Sequence, residues 1–499
     1  MNIPLVKEAE KYLDRIAIID QEKEFTYSDL LFTSHQIASL LLTGKQDLKE
    51  ERIAYLIPSE FNHVATQWGI WRAGGISVPL CISHPLPELE YVIQDAQVSI
   101  IIAHPNFENI AKCLAENNNC RFVSTKEIAS VDTLVTLPQI EISRRALILY
   151  TSGTTGKPKG VVITHKNILS QVQSLVKAWG WQESDSILHT LPLHHIHGII
   201  NVLTCSLYSG AECHLLSKFD PESVWNKIIE GKLTIYMAVP TIYVKLINYW
   251  QRCDRILREQ MSAGCRKMRL MVSGSAALPV KVLQQWQEIS GHFLLERYGM
   301  TEIGMALSNP LEGKRFAGYV GKPLPGVTVR LVNERGNILK ENTAGEIQIK
   351  GNNVFLEYWQ KPEATEKAFK DGWFCTGDLG IIENENYRIL GRLSVDIIKT
   401  GGYKVSALEI EEVLRTHPEI KDCAVVGVKD EHWGERVCVA IIAIKDDKLT
   451  LDNLRQWAKE KLAVYKIPSK MLMVDDFPRN AMGKVMKPKI IDLFLQEEN

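Results

Sequence analysis

The sequence predicts an α/β protein: a large N-terminal domain of doubly wound sheets plus a β-rich subdomain, with a small α+β C-terminal domain. Three observations carry that prediction. Short apolar strands alternate with longer helical stretches from Arg15 to Val98, as in a βαβ series. From Gly318 the pattern changes to glycine- and proline-punctuated alternation. After Arg392 a tail of about 105 residues carries its own strand, helix and strand signals, which is the length of a small domain. At 499 residues the chain also exceeds what one hydrophobic core fills, so more than one domain is expected.

In chain order, Ile16 to Ile19 and Arg52 to Ile57 read as buried strands. Tyr27 to Leu42 sets Leu30, Leu31, Ile37, Leu40 and Leu41 near helical spacing. Asn62 to Ala73 reads as a helix stopped by Gly74-Gly75, and Ile100 to Ala103 as another buried strand. Lys166 to Trp179 places Ile168, Val172, Leu175 and Val176 on one helical face. Strands follow at Ile235 to Val239, Arg269 to Val272 and Phe293 to Leu295, with a helix through Tyr243, Leu246 and Tyr249. The alternating runs Val327 to Val332 and Gly345 to Ile349 read as hairpins. In the tail, Ala407 to Arg415, Ala424 to Val428, Val437 to Ile444 and Asp452 to Leu462 complete the set.

Tyr150 to Gly160 departs from this regular alternation. It packs three glycines, four Ser/Thr hydroxyls and two lysines into eleven residues. Glycine lets backbone N–H groups approach an anion, hydroxyls add donors, and Lys157 and Lys159 add positive charge, so the stretch reads as a phosphate cradle. Apolar runs on both sides, Ala146 to Tyr150 and Val161 to Thr164, place it between two strands. Pro158 after Lys157 separates it from the P-loop of NTPases, where Ser or Thr follows the lysine.

Composition excludes several classes. Hydrophobic residues are 45% and charged residues 23%, ordinary for a soluble globular chain, and the formal net charge of −1 offers no long-range attraction to nucleic acid or anionic membrane. No apolar run reaches the roughly 18 residues needed to span a bilayer. The ten cysteines show no Cys-x-x-Cys pair and suit reduced thiols. Glu8, Glu10 and Asp14 in the opening segment are unlike a transit peptide, so a cytoplasmic location is expected. His194, His195 and His197 without a neighbouring acid or thiol make a poor metal set and suit the lining of a pocket.

Five stretches then occur in a telling order. They are Tyr150 to Gly160, Tyr298-Gly299-Met300-Thr301-Glu302, Thr376-Gly377-Asp378, Gly391-Arg392 and Pro478-Arg479-Asn480-Ala481-Met482-Gly483-Lys484. Together they resemble the motifs of adenylate-forming enzymes: acyl-CoA synthetases, firefly-type luciferases and peptide-synthetase adenylation domains. Within that superfamily, Leu191 to Gly198, Met237 to Tyr243, Met271 to Pro279, Leu295 to Glu302 and Ser394 to Val405 are most similar to malonyl-CoA synthetases.

The resemblance implies a residue-by-residue site. Thr151, Ser152, Gly153, Thr154, Thr155, Gly156, Lys157 and Lys159 would hold the β- and γ-phosphates of ATP. Glu302 would be the Mg²⁺ ligand and Thr301 would touch the phosphates. Tyr298 would stack on adenine, Gly274, Ser275 and Ala276 would line its edges, Asp378 would accept the ribose hydroxyls, and Arg392 would lie beside ribose and phosphate. Lys484 would bridge the reacting carboxylate and the α-phosphate. Arg297 and Lys245 would face the second carboxylate of malonate, the Lys245 position being Arg in some relatives. His195 and His197 would form the acid-pocket wall. Gly401, Gly402 and Tyr403 would line the route for coenzyme A.

The expected division is 1–391 for the N-terminal domain, 392–396 for a hinge and 397–499 for a mobile C-terminal domain. Ser394 stands where many relatives carry the Asp or Lys pivot, with Asp396 close by. The implied reaction is ATP-dependent ligation of malonate, or methylmalonate, to coenzyme A, with a short or medium monocarboxylic acid as the alternative substrate. A non-catalytic nucleotide binder would lack the lysine or the acids. A module loading a carrier protein would be expected to carry that carrier beyond Lys489.

Overall fold

The computed structural model describes residues 3–151, 157–444, 449–480 and 483–497. A nine-stranded sheet runs in the order Lys322–Pro323, Gly304–Ser308, Leu295–Met300, Leu270–Ser273, Ile235–Ala238, Ser186–His189, Glu212–Leu215, Ile16–Asp20 and Lys23–Thr26. From Leu295–Met300 to Ile16–Asp20 all neighbours are parallel, and antiparallel hairpins close both edges. A seven-stranded sheet runs Glu357–Tyr358, Lys159–Thr164, Arg145–Thr151, Ile76–Pro79, Arg52–Leu56, Ile100–Ala103 and Arg121–Ser124. Its central strands Arg52–Leu56, Ile76–Pro79 and Ile100–Ala103 are buried almost throughout, and their near-continuous apolar runs are what a sheet covered on both faces requires.

The expected helices form, because their apolar stripes have a core to bury against. Helix Tyr27–Leu41 starts at a capping box between Thr26 and Asp29. Helix His165–Trp179 starts at another, between Thr164 and Asn167, and ends at Gly180 in the left-handed region. Its predicted face is the buried one: Ile168, Val172 and Leu175 are inside, with Val176 packed at the margin. Trp68, Trp71 and Trp179 fill the core between the sheets, and Trp225, Tyr243 and Trp286 fill a second under the nine-stranded sheet.

The β-rich unit is antiparallel throughout: Val327–Val332, Gly345–Gly351, Trp373–Glu383 and Phe369–Lys370, with Asn386–Arg392 paired to Trp373–Glu383. The tail makes its own five-stranded sheet, Tyr403–Ser406, Ile397–Thr400, Gly434–Ala443 and Ile420–Asp430, with Lys470–Met473 parallel to Gly434–Ala443. Helices Ala407–Leu414 and Leu451–Lys459 cover one face, and Lys487–Glu497 covers the other.

Two stretches differ from the sequence reading. The strand expected at Phe293 to Leu295 begins at Leu295 and continues through Arg297 and Tyr298 to Met300. It pairs back on Gly304–Ser308, and Gly299 permits this: a Cβ there would lie 2.1 Å from the carbonyl oxygen of Gly304. The histidine-rich stretch leads into a fully buried π-helix, His197–Thr204, an uncommon geometry often found at functional sites.

Candidate active site

The hairpin formed by Leu295–Met300 and Gly304–Ser308 delivers the central groups. Side chains alternate along a strand, so adjacent residues face opposite ways. Glu296 turns into the protein, where its Oε1 accepts the Leu278 N–H at 3.2 Å. Arg297 turns the other way. Its Nη2 donates to Ser275 Oγ at 3.3 Å, and Ser275 Oγ lies 3.2 Å from His197 Nδ1. Gly274 provides room for this contact, since a Cβ there would stand 2.7 Å from the Arg297 guanidinium carbon. Ser275 itself sits at φ +70, a left-handed conformation that costs energy in a non-glycine residue.

Arg297 is 2% exposed, and its Nε has no hydrogen-bond partner. Among the described residues no carboxylate lies within ion-pair distance of it. Burial alone pushes its guanidinium down to about 9, which still leaves it charged at neutral pH. A buried cation without a protein anion is costly, and an arrangement that pays this cost is suited to an anionic ligand. His195 and His197 stand nearby; enclosure, with neighbouring cations, holds both imidazoles well below their usual range and therefore neutral.

Tyr298 donates its hydroxyl to Asp378 Oδ2 at 2.5 Å, and Arg392 Nε donates to Asp378 Oδ1 at 3.0 Å. Burial raises the Asp378 carboxyl, while Arg392 and the two hydrogen bonds oppose that rise. The turn after Tyr298 carries Thr301 and Glu302. Glu302 is 6% exposed, raised by burial, and accepts the Tyr358 hydroxyl at 2.9 Å. Lys159 places its ammonium 4.4 Å from the centre of the Tyr358 ring. Tyr358 thus joins the glycine-rich hairpin to Glu302. Thr151 and Lys159 pair across that hairpin, and Lys157 lies 5.5 Å from the Tyr91 ring. Ser152, Gly153, Thr154, Thr155 and Gly156 lie outside the described residues.

Lys484 arrives from the small domain. Its N–H is held by Asn480 Oδ1 at 3.0 Å, and a Cβ on the preceding Gly483 would lie 3.1 Å from Thr241 Oγ1 of the large domain. The residue is exposed, and Arg392, Arg297, Asp378 and Glu302 are near enough to act on its charge. Enclosure lowers its ammonium, with Arg392 and Arg297 adding to the effect and Asp378 and Glu302 opposing it. Two acids and three cations from four separate motifs therefore face one space. Such a space can orient a polyanion and stabilise charge that develops on it.

Not every residue picked from the sequence joins this group. Lys245 is on the exposed side of helix Pro240–Arg252, 5.6 Å from the Phe219 ring, and the structure does not bring it to Arg297. Gly401 and Gly402 form an exposed turn at φ 55 and 84; Tyr403 is exposed and stacks on Tyr465 at 4.2 Å. Ala276 is exposed at the rim of the Gly274 loop. Two contributors escaped the sequence reading. Tyr358 has no motif around it to mark it. Glu412, on helix Ala407–Leu414, accepts the Val280 N–H of the large domain at 3.0 Å, whereas an acidic run on a helix ordinarily reads as a solvated face.

The AMP-binding enzyme family matches residues 5–359, and its C-terminal domain matches residues 409–484. The chain belongs to this family. Among its relatives, a protein of Xenopus laevis named malonate–CoA ligase ACSF3, mitochondrial, is 44% identical over 98% of this chain and 91% of its own length. The ATP-bound structure of MatB from Rhodopseudomonas palustris is 32% identical, covers all of both chains and superposes with a TM-score of 0.92. The apo structure of the same protein superposes less closely, at 0.82. The α/β architecture, with its large sheet-built N-terminal domain and smaller C-terminal domain, is that of these family members. No helix among the described residues is long and apolar enough to cross a membrane.

Proposed function

We propose that this member of the AMP-binding enzyme family is an ATP-dependent malonate–CoA ligase that works through an acyl-adenylate. The observation that carries the reading is Arg297, a buried guanidinium with no carboxylate in ion-pair range among the described residues, set beside Ser275 and His197. The second carboxylate of a short diacid would be desolvated next to the reacting one, and this is the cation that would compensate it. The names of the Xenopus relative and of close structural neighbours support the same substrate class.

A carboxylate resists nucleophiles because of its own charge. Transfer to the α-phosphate of ATP removes that charge and releases pyrophosphate; the coenzyme A thiol then displaces AMP. In our assignment Lys484 bridges the attacking carboxylate and the α-phosphate, where negative charge concentrates. Tyr298 lies against adenine, with Gly274, Ser275 and Ala276 at its edges. Asp378 accepts the ribose hydroxyls and Arg392 orients that acid. Thr301, Lys159 and the hairpin loop hold the phosphates. Glu302 fits Mg²⁺: it is a buried hard oxygen donor with no ion pair among the described residues, and no group of three or more His, Cys, Asp or Glu among them could hold an ion unaided. Bound there with phosphate oxygens and water, Mg²⁺ would neutralise charge on the departing pyrophosphate.

We take residues 392–396 as the hinge between the domains. Asp396 is anchored at both ends, accepting the Arg392 N–H at 3.0 Å and the Lys487 ammonium at 2.6 Å, while Ser394 is exposed between the anchors. Rotation there would exchange Lys484 for the Gly401-Gly402-Tyr403 turn and admit coenzyme A. We place the protein in a reducing compartment, as ten free cysteines suit, and take that compartment to be the cytoplasm; cell fractionation checks this. The decisive experiment for the reaction is AMP release with coenzyme A and a panel of acids. Malonate should exceed butyrate and octanoate by at least a hundredfold in kcat/KM; equal turnover of butyrate would refute the diacid assignment and favour the monocarboxylate reading.

A further inference from the structure

Beside the glycine-rich hairpin runs a two-residue strand, Glu357–Tyr358, added antiparallel to the edge of Lys159–Thr164 with Tyr358 opposite Val161. Neighbouring side chains on a strand turn to opposite faces. Glu357 turns to Arg145 at 2.8 Å, and Tyr358 turns inward and is buried. Backbone bonds pin the segment on both sides. The Phe355 N–H donates to the Glu302 carbonyl at 2.7 Å, the Leu356 N–H to that of Val162 at 2.9 Å, and the Trp359 N–H to that of Gly160 at 2.8 Å. Thr365 Oγ1 accepts the Tyr358 N–H at 3.0 Å, and the Phe355 ring packs on the Tyr358 ring at 4.8 Å between centres. The tyrosine is thus held in place by the same chain segment that ties Glu302 to the hairpin.

Its side chain meets opposite charges at two points. The hydroxyl donates to Glu302 Oε1 at 2.9 Å, and the ring centre lies 4.4 Å from the Lys159 ammonium. Lys159 is near enough to act on the charge of Glu302, yet no ion pair joins the two among the described residues. An ammonium and a carboxylate so placed attract each other, the more strongly in a partly buried site. Closed into a pair, neither would present its charge to a ligand. A phenol keeps them apart without adding a charge of its own: its O–H donates to the acid, and its π face holds the cation.

We propose that Tyr358 is a positioning residue that keeps Glu302 and Lys159 separate and aimed at different parts of one ligand. The hydroxyl fixes the Glu302 carboxylate for the divalent cation of MgATP, and the ring fixes the Lys159 ammonium for the terminal phosphates. Naming that ligand rests on the ligase reading; the placement of the two charges by Tyr358 does not. The two functions separate by chemistry. Phenylalanine at 358 keeps the ring and its spacing and removes only the hydroxyl, whereas leucine removes both the hydroxyl and the π face.

Isothermal titration calorimetry on the whole protein tests this with three probes: ATP in EDTA, ATP with Mg²⁺, and AMP. Removing the hydrogen-bond partner of a metal ligand costs about ten- to a hundredfold in metal affinity. Tyr358→Phe should therefore weaken binding of ATP with Mg²⁺ by about tenfold or more and leave metal-free ATP and AMP unchanged. Tyr358→Leu should in addition weaken metal-free ATP by about threefold or more, because Lys159 loses its ring and can close on Glu302. AMP, which has no terminal phosphates, should bind both variants as it binds the wild type, and so reports that they fold. Equal losses for all three probes in Tyr358→Phe would make the tyrosine a packing residue and overturn the proposal, as would no loss with Mg²⁺. A wild-type protein that binds no adenine nucleotide refutes the ligase reading and this inference with it; intact wild-type binding with an unresponsive Tyr358→Phe refutes this inference alone.

Discussion

Replacing Arg297 with alanine removes the guanidinium from the acid pocket and leaves an incoming second carboxylate buried without a cation. Truncating one side of such a desolvated pair costs about 2–5 kcal/mol, so malonate kcat/KM should fall by roughly 30- to 5,000-fold. Butyrate, which brings no second charge, should lose little. Steady-state kinetics with both acids check this, and an equal loss for the two would assign Arg297 to general packing. Lys484 gives a different signature, because it reaches the site only from the small domain. Lys484→Ala should abolish malonate-dependent pyrophosphate exchange while thioester formation from supplied malonyl-adenylate continues at near the original rate. Loss of both steps together would deny the lysine its specific place in the first half-reaction.

At the scale of elements, strand Leu295–Met300 sets two ionisable neighbours on opposite faces, and each answers to its own surroundings. Glu296 is 7% exposed, and burial, with Glu412 beyond it, raises its carboxyl to about 8. The folded protein therefore holds that proton more tightly than the unfolded chain does. The resulting stabilisation is complete below the ordinary carboxylate range and is lost as pH rises through about 8. Glutamine stays neutral at every pH, and its carbonyl can still accept the Leu278 N–H. Glu296→Gln should therefore raise the melting temperature by little at pH 5 and by several degrees at pH 8, as differential scanning fluorimetry would record.

Elements were also where the sequence was most and least readable. Tyr150 to Gly160 reads as a phosphate site from its mixture of glycine, hydroxyl and lysine, and the two flanking strands expected for it are present as a hairpin. Helix Pro240–Arg252 carried a signal against Lys245 that the family likeness obscured. Tyr243, Leu246 and Ile247 are the buried stripe at spacings of three and four, which turns position 245 outward. The far end of strand Leu295–Met300 is not legible locally, because the apolar run stops before Glu296-Arg297; its hairpin partner, which that run does not reveal, requires glycine at 299. Tyr358 could not have been found at all, since its role comes from Glu302 and Lys159, distant in the chain and joined only by folding.

For the whole molecule, the proposed hinge makes the contacts between domains the place where the choice of half-reaction can be tested. Glu412 caps the first N–H of helix Val280–Ser290 from across the domain boundary, and Gly483 rests against Thr241. Both hold Lys484 in the cleft, consistent with the closer superposition on the ATP-bound neighbour than on the apo one. A lost N-terminal cap costs about 1 kcal/mol, or roughly fivefold in an equilibrium. Glu412→Ala should slow pyrophosphate exchange by about that factor and spare thioester formation from malonyl-adenylate. Separate assays of the two half-reactions would show it, and equal slowing of both would mean that the contact maintains the fold rather than the domain arrangement.

Arg297 also bears on how this enzyme can change over generations. Replacing a buried charge that has no carboxylate partner among the described residues by a well-packed apolar side chain removes a desolvation cost and should be neutral or stabilising. Selection for a sturdier protein would therefore favour leucine or methionine at 297, and the variants it produced would accept monocarboxylic acids. The diacid preference is consequently a trait that only continued demand for the diacid can hold in place, and its loss lies one substitution away in the direction of greater stability.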